Sequence, residues 1–401
     1  MFQLEKEESL NIGEIFRQTK NNSISGVSNR NFSLLGDPSL RLAMPKLQTK
    51  ISEITTGETT DTLKALSHVF IKGEVVNTAN DKVTNFSGTL QAVIYDKEAE
   101  FITLGNENAP FKFKQWHNAL YRGQATVVDG DFQFEFIVPK NIVYQLGNGK
   151  LSLYAYDKSQ FIDAGGVELE FVIGKSELNP GTDITPPTVQ LYMGDTTFRN
   201  GGITARDTRL IARLNDTSGI NISEYGIGNS LLAILDDSTS FVLNDYYESD
   251  LNDFTKGWIS YPLTELTPGK HTITLKAWDT FNNPGETTIS FVVTDGNDIV
   301  IEFFGNYPNP FSSQTTLFFT HSRSGDDLQA VISIFDVAGR ELKTQEFLIS
   351  NSGYQVDLLE LNTETDFGKN LKAGLYLARL VVRSLSNGSK SELVTKLILT
   401  N

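Results

Sequence analysis

Apolar and polar residues alternate one for one along much of this chain, in short segments. "DFQFEFIV" shows it most plainly: Phe132, Phe134 and Phe136 share one face, Gln133 and Glu135 the other. That period belongs to a half-buried β-strand. The same reading predicts strands over 66–76, 88–95, 151–156 and 168–173. Gly, Asn and Asp punctuate the segments, as turns require. Short strands at this spacing predict an all-β fold of tandem Ig-like β-sandwiches.

An internal echo supports repetition. "GNGKLSLYAYDKSQFIDAGGVELEFVIG" (147–174) aligns with "TPGKHTITLKAWDTFNNPGETTISFVV" (267–293). In both, a Gly-Lys turn leads into an alternating strand ending Ala-aromatic-Asp, and a later strand ends Phe-Val. Matching strand ends recur as "LQAVIYD" (90–96), "LLAILDD" (231–237) and "AVISIFD" (330–336). One such pattern per unit is what tandem sandwiches would give. "NPGTDITPPTVQLYM" (179–193) reads as a stiff, proline-set linker between two of them. The expected organisation is a tail over 1–46, then sandwiches over 47–180, 181–302 and 303–401.

Residues 1–46 break the pattern. Leu10, Ile12, Ile15 and Phe16 fall roughly at helical spacing. "FSLLGDPSLRLAMPK" reads as a short strand, a Gly36-Asp37-Pro38 turn, and alternating Leu40 and Leu42. One helix and a strand or two cannot close a core, so this segment is expected to be the end of a domain whose body lies elsewhere.

Charge and composition narrow the chemistry. A net charge of -15 repels phosphate backbones, so no nucleic-acid partner is expected. No apolar run approaches the ~18 residues of a membrane-spanning helix. The first residues, "MFQLEKEESLNIGEIF", lack the regions of a signal peptide, which is expected upstream of Met1. The chain has no cysteine, which removes disulfides, thiolate metal sites and a thiol nucleophile. His68, His117, His271 and His321 lack metal-ligand spacing, and there is no G-x-S-x-G elbow. "GNGKLS" (147–152) lacks the phosphate-loop spacing and reads as a hairpin turn. No catalytic residue, cofactor or metal ligand is therefore assigned. The strand-ending aspartates raise the question of calcium. "DTFNNPGE" departs from the EF-hand pattern at Phe281, and turn capping is the expected role.

The last hundred residues carry the densest motifs. In "NYPNPF" (306–311), Pro308 and Pro310 cannot donate to a sheet ladder, so they belong at a strand start or an edge, and Phe311 drops into the core. "TTLFFTH" continues as a strand. In "IFDVAGREL" Asp336 opens a turn, Gly339 takes positive φ and Arg340 begins the return strand. "LKAGLYLARLVVRS" (371–384) and "KSELVTKLILTN" (390–401) predict a closing hairpin turned at Asn387-Gly388.

Tyr307, Pro308, Asn309, Pro310 and Phe311, then Asp336, Gly339 and Arg340, then Gly374, Tyr376 and Lys396 fall in three separated motifs. Together they closely resemble the C-terminal sorting domain of type IX secretion cargo in Bacteroidetes, over about 303–401. "IGEIFRQTKNN…NRNFSLLGDPSLRLAMPK" resembles the end of a gingipain-type cysteine peptidase domain. "TPPTVQLYMGDTTFRNGGIT" (185–204) and "SGINISEYGIGNSLLAILDD" (218–237) resemble the segment that follows it in the type IX sortase (PorU) family. The resemblance implies the C-terminal, scaffold-and-sorting portion of a sortase. Such an enzyme removes sorting domains from cargo and attaches the cargo at the cell surface. The implied partners are the outer-membrane type IX machinery and, through the absent catalytic domain, cargo carrying sorting domains. The implied location is the outer face of the outer membrane. The family's catalytic Cys and His would lie upstream, so none is carried over. The alternatives are an adhesin-like surface protein exported by the same system and a cytoplasmic hook-capping-like scaffold.

Overall fold

The computed structural model describes residues 10–22, 33–56, 62–106, 109–226, 228–364 and 371–400. Among the described residues the fold is nearly all β, and the strands gather around three hydrophobic cores.

The first core is enclosed by seven strands. Leu47–Thr55 pairs antiparallel with His68–Val76 on one side and parallel with Ile162–Glu168 on the other. This one strand closes a hydrogen-bonded ring, so the two layers of a sandwich are stitched into a barrel. The pairing slips between Ile51 and Glu53, a bulge that lets the strand bend from one layer to the next. Phe132, Phe134 and Phe136 all point inward, as their alternation predicts. "GNGK" is not a hairpin turn. Gly147–Asn148 pairs with Ile173 and Val172, and the chain then runs straight into Lys150–Asp157. A Cβ on Gly149 would lie 2.4 Å from the Ile173 side chain, so close packing explains the glycine better than a turn does.

The second core lies between a four-stranded sheet built on Thr208–Asn215 and Asp253–Leu263 and a five-stranded sheet built on Gly269–Trp278 and Pro284–Val293. The sequence echo is therefore partial. Gly269–Trp278 pairs along its whole length with Pro284–Val293. In the barrel, Lys150–Asp157 pairs with Ile162–Glu168, while the Phe-Val end joins a separate small sheet as Val172–Ser176. The proline linker ends earlier than its composition suggests, since Thr188–Met193 is already a strand.

The third core lies between a three-stranded sheet (Ile301–Tyr307, Gln314–His321, Gln355–Asn362) and a four-stranded one (Glu341–Ile349, Leu328–Phe335, Gly374–Ser384, Lys390–Leu399). Ala330, Ile332 and Ile334 alternate into it, and Phe304, Phe311 and Phe319 fill its centre. The core reaches back to Ile299. The predicted hairpin through Gly388 is present, with Gly388 at φ +76°.

At the N-terminus the helix Ile12–Asn22 starts where the Asn11 side chain accepts the Glu14 N–H at 2.8 Å. It buries no residue fully and rests on the Pro38 turn, through Gly13 N–H to the Pro38 carbonyl at 2.9 Å and Ile12 N–H to the Leu40 carbonyl at 2.7 Å. The short strand expected from Phe32 begins outside the described residues; among the described ones, 33–35 form no strand, and Arg41 makes an isolated bridge to Asn11. Leu35, Leu40, Leu42 and Met44 are exposed.

Candidate functional site

The three motifs of the last unit come together in space. Tyr307 ends one strand, the Asp336–Arg340 turn follows the strand ending at Phe335, and Gly374 begins another. All three positions are strand ends on the same side of the sandwich. The Asn309 carboxamide clamps them to the last strand: it donates to the Lys396 carbonyl at 2.9 Å and accepts from the Ile398 N–H at 3.0 Å. Phe311 continues the clamp with backbone bonds to Ile398 and Thr400. That strand pairs Leu399 with Gly374 and Leu397 with Tyr376, and Leu377 pairs with Phe335 beside the turn.

The proline stretch connects two strands, closing Ile301–Tyr307 and leading into Gln314–His321. Both Tyr307-Pro308 and Asn309-Pro310 peptide bonds are cis. Buried Asn306 donates to the Pro308 carbonyl at 3.1 Å and the Thr315 hydroxyl donates to the same oxygen at 2.7 Å. Pro308 and Asn309 are thereby placed by the fold, while the Tyr307 ring stands 77% exposed.

The Asp336 turn is self-capped. Its carboxylate accepts the N–H groups of Arg340 and Ala338, each at 3.0 Å. These bonds, the Arg340 one foremost, with the Arg340 guanidinium, hold it below the usual carboxylate range. Gly339 sits at φ +82° with open space where a Cβ would project. Its requirement is therefore conformational and not steric. Gly339→Val should cost about 1–2 kcal/mol, and Gly339→Asn clearly less. Thermal unfolding of the two variants checks this; equal losses would contradict it. Tyr376 is half-buried and donates its hydroxyl to the Lys372 carbonyl at 2.7 Å, and Lys396 is exposed.

A second cluster was not foreseen. Asp183, Asp216 and Asp279 bring carboxylate oxygens within 4.8 Å of one another, the last two buried. Asp183 comes from the linker, Asp216 from the loop after Thr208–Asn215, and Asp279 from the end of the echo strand. Sequence reasoning sought spaced carboxylates in one loop; here three segments supply one each. Such an oxygen set could hold a hard cation. Asp279 also accepts two bonds from Asn283, both at 2.6 Å, which is the turn-capping role expected of it. Burial, with the charges of Asp216 and Asp183, pushes the Asp279 carboxyl up to about 6 in spite of those bonds. Burial raises Asp216 as well. It also acts on Asp183, but bonds from Thr185, Ser218 and Thr217 outweigh it and leave that carboxyl below the ordinary range.

The pH consequence has a definite sign. A folded-state value above the unfolded one stabilises below about pH 4, and that contribution is lost as the pH rises through 6. Asp279→Asn lacks this loss. Its stability relative to the parent should therefore improve by about 2 kcal/mol between pH 4 and pH 7. Urea unfolding in chelator at both pH values measures the difference; a constant difference would contradict the assignment.

The histidines stay separate. His68, His117 and His271 each pair with one carboxylate, of Glu135, Glu224 and Asp236. His321 is fully buried, and burial pushes its imidazole down to about 4.

The three units are bolted together. Arg122 of the barrel reaches Asp245 at 2.9 Å, and Thr126 and Asn252 exchange two bonds. The last unit inserts Tyr354 into the second core, against Phe198 with ring centroids 5.0 Å apart. Asp195 accepts from the Tyr354 N–H and from the Ser324 hydroxyl.

Residues 306–399 match the family model described as the secretion system C-terminal sorting domain. The chain carries a secretion sorting domain. This marks it as a type IX secretion-associated protein and implies export to the cell surface or beyond. Among the described residues no helix is long and apolar enough to cross a membrane. None of the curated proteins matches the chain. Among solved structures it is similar to dimeric latent PorU from Porphyromonas gingivalis, at 29% identity and a TM-score of 0.42. That alignment covers 100% of this chain and 39% of the PorU chain. A tetra-tandem repeat from the extending region of a large adhesion protein aligns over 89% of this chain and 75% of its own, with 11% identity and a TM-score of 0.20. Chicken CNTN1 domains FN1–FN3 align at 11% identity and a TM-score of 0.20, over 89% of this chain and 99% of their own.

Proposed function

We propose that the chain is the non-catalytic, carboxy-terminal portion of a type IX sortase. The barrel and middle sandwich form a stiff stem, and the last sandwich is the sorting domain that takes the protein to the outer face of the outer membrane. Cleavage of cargo sorting domains and attachment of cargo belong to a gingipain-type peptidase domain ahead of this stem. The sorting domain matched over 306–399 is the observation that carries the export part. The sortase part rests on the sequence resemblance of residues 12–46, 185–204 and 218–237. The exposed apolar residues beside the helix are what a domain-covered surface would leave behind.

Antibody against the middle sandwich would recover the native polypeptide from the outer-membrane fraction. Mass spectrometry should then find it extended ahead of Met1 by a domain with a reactive cysteine. A surface polypeptide that begins at Met1, or thiol-sensitive cleavage of a sorting-domain peptide by the purified 401-residue chain, would overturn the reading.

A further inference from the structure

The motif residues divide into two kinds. Pro308, Asn309, Phe311, Asp336 and Gly339 are accounted for by the fold: a held turn, a clamp on the last strand, a core anchor, a self-capped turn and a positive φ. Tyr307 is not. Its ring is 77% exposed, yet it sits inside the matched sorting domain. One exposed ring is ordinary on a protein surface; what sets Tyr307 apart is its place in the motif, beside other exposed apolar residues.

Its surroundings share this property. Two residues on, Asn309 grips the Ile398 N–H; Ile398 pairs with Leu375, and both are exposed, at 41% and 40%. Beyond them the Asp336 turn carries Val337, 72% exposed. Tyr307, Ile398, Leu375 and Val337 thus rim one end of the sandwich with apolar side chains.

The opposite end is already occupied. Ser324, Tyr354 and Gln355 are bonded there to Asp195, Thr197 and Arg199 of the middle unit. The strand Ile301–Tyr307 separates the two ends by roughly 20 Å at ~3.3 Å per residue. The domain is held by one end and presents the other, where all three motifs converge.

We propose that this free end, anchored on Tyr307, is the surface by which a protein of the export apparatus grips the sorting domain. The proposal rests on the sorting-domain reading and adds which face is read and by what chemistry. The partner is a protein with an apolar socket for the Tyr307 ring, flanked by a shallow apolar shelf for Val337, Leu375 and Ile398. Binding there would dock the domain end-on, leaving its joint to the stem untouched.

The test expresses the full 401-residue chain behind a general signal peptide in a type IX-competent bacterium. Surface and periplasmic fractions are compared for the parent, Tyr307→Ala, Val337→Asp and Phe161→Ala, a 94% exposed control on the barrel. Thermal unfolding is measured in parallel. Tyr307→Ala and Val337→Asp should each lower surface delivery about tenfold with unchanged melting, as loss of an interface anchor does, while Phe161→Ala is exported normally. Normal export of both variants would overturn the proposal. So would a loss of export tracked by a fall in melting temperature, which would make the residues structural. Loss of concentration-dependent self-association in these variants, with export intact, would overturn it in favour of a second copy as the occupant. If the parent chain stays periplasmic while an established cargo is exported, the sorting-domain reading itself fails.

Discussion

Phe311→Ala is expected to destabilise the last sandwich by about 3–4 kcal/mol, the usual range for emptying a buried phenylalanine site. The ring is 7% exposed and packs in the core shared by Phe304, Phe319 and Leu399. Its backbone is bonded on both sides to the last strand, through Ile398 and Thr400. Those bonds survive the substitution, so the side chain alone is tested. The loss should appear in denaturant unfolding of residues 299–401 with little change in the slope against denaturant. A loss under ~1 kcal/mol would mean that the site collapses around the alanine and that Phe311 is no core anchor.

Tyr354→Ala should have an effect of similar size but a different form. The side chain belongs to the last unit, yet it is buried in the core of the middle one, against Phe198. Its hydroxyl donates to the Glu302 carboxylate, and burial together with that bond raises its own titration well above the ordinary range. Removing the ring leaves a cavity beside Gly202, where even a Cβ would come within 2.5 Å of the tyrosine oxygen. About 3–4 kcal/mol of coupling between the two units should disappear. Calorimetry of the full chain should then show the last sandwich melting as a separate, earlier transition. An unchanged thermogram would contradict the view that Tyr354 bolts the two units together.

Some of this architecture was legible in the residues and some was not. Alternation read the strands well where one face is buried: "DFQFEFIV" and "AVISIFD" place the residues they should in the cores. Ring closure of the barrel was not legible, because it depends on a two-residue parallel pairing at Leu47 and Gln48 and a bulge at Ile51. "GNGK" misled as a turn because a glycine needed for close packing looks like a glycine needed for positive φ. The acidic cluster was half visible. Asp279 stood out as a strand-ending aspartate, but nothing local links it to Asp183 in the linker or Asp216 in another loop. The convergence of the three motifs was likewise a product of topology: the last strand links the stretch after 307 to 374, and the strand beside it reaches 335, only once the two sheets are built.

The central claim is that the last sandwich directs export, and delivery to the cell surface tests it most directly. The full chain and a version ending at residue 298 would be expressed behind the same signal peptide in a type IX-competent bacterium, and protease-accessible surface protein quantified for each. The account predicts that the full chain reaches the surface and that the shortened chain, which keeps the barrel core and loses Tyr354 from the middle one, stays in the periplasm. Equal surface delivery of the two would contradict it.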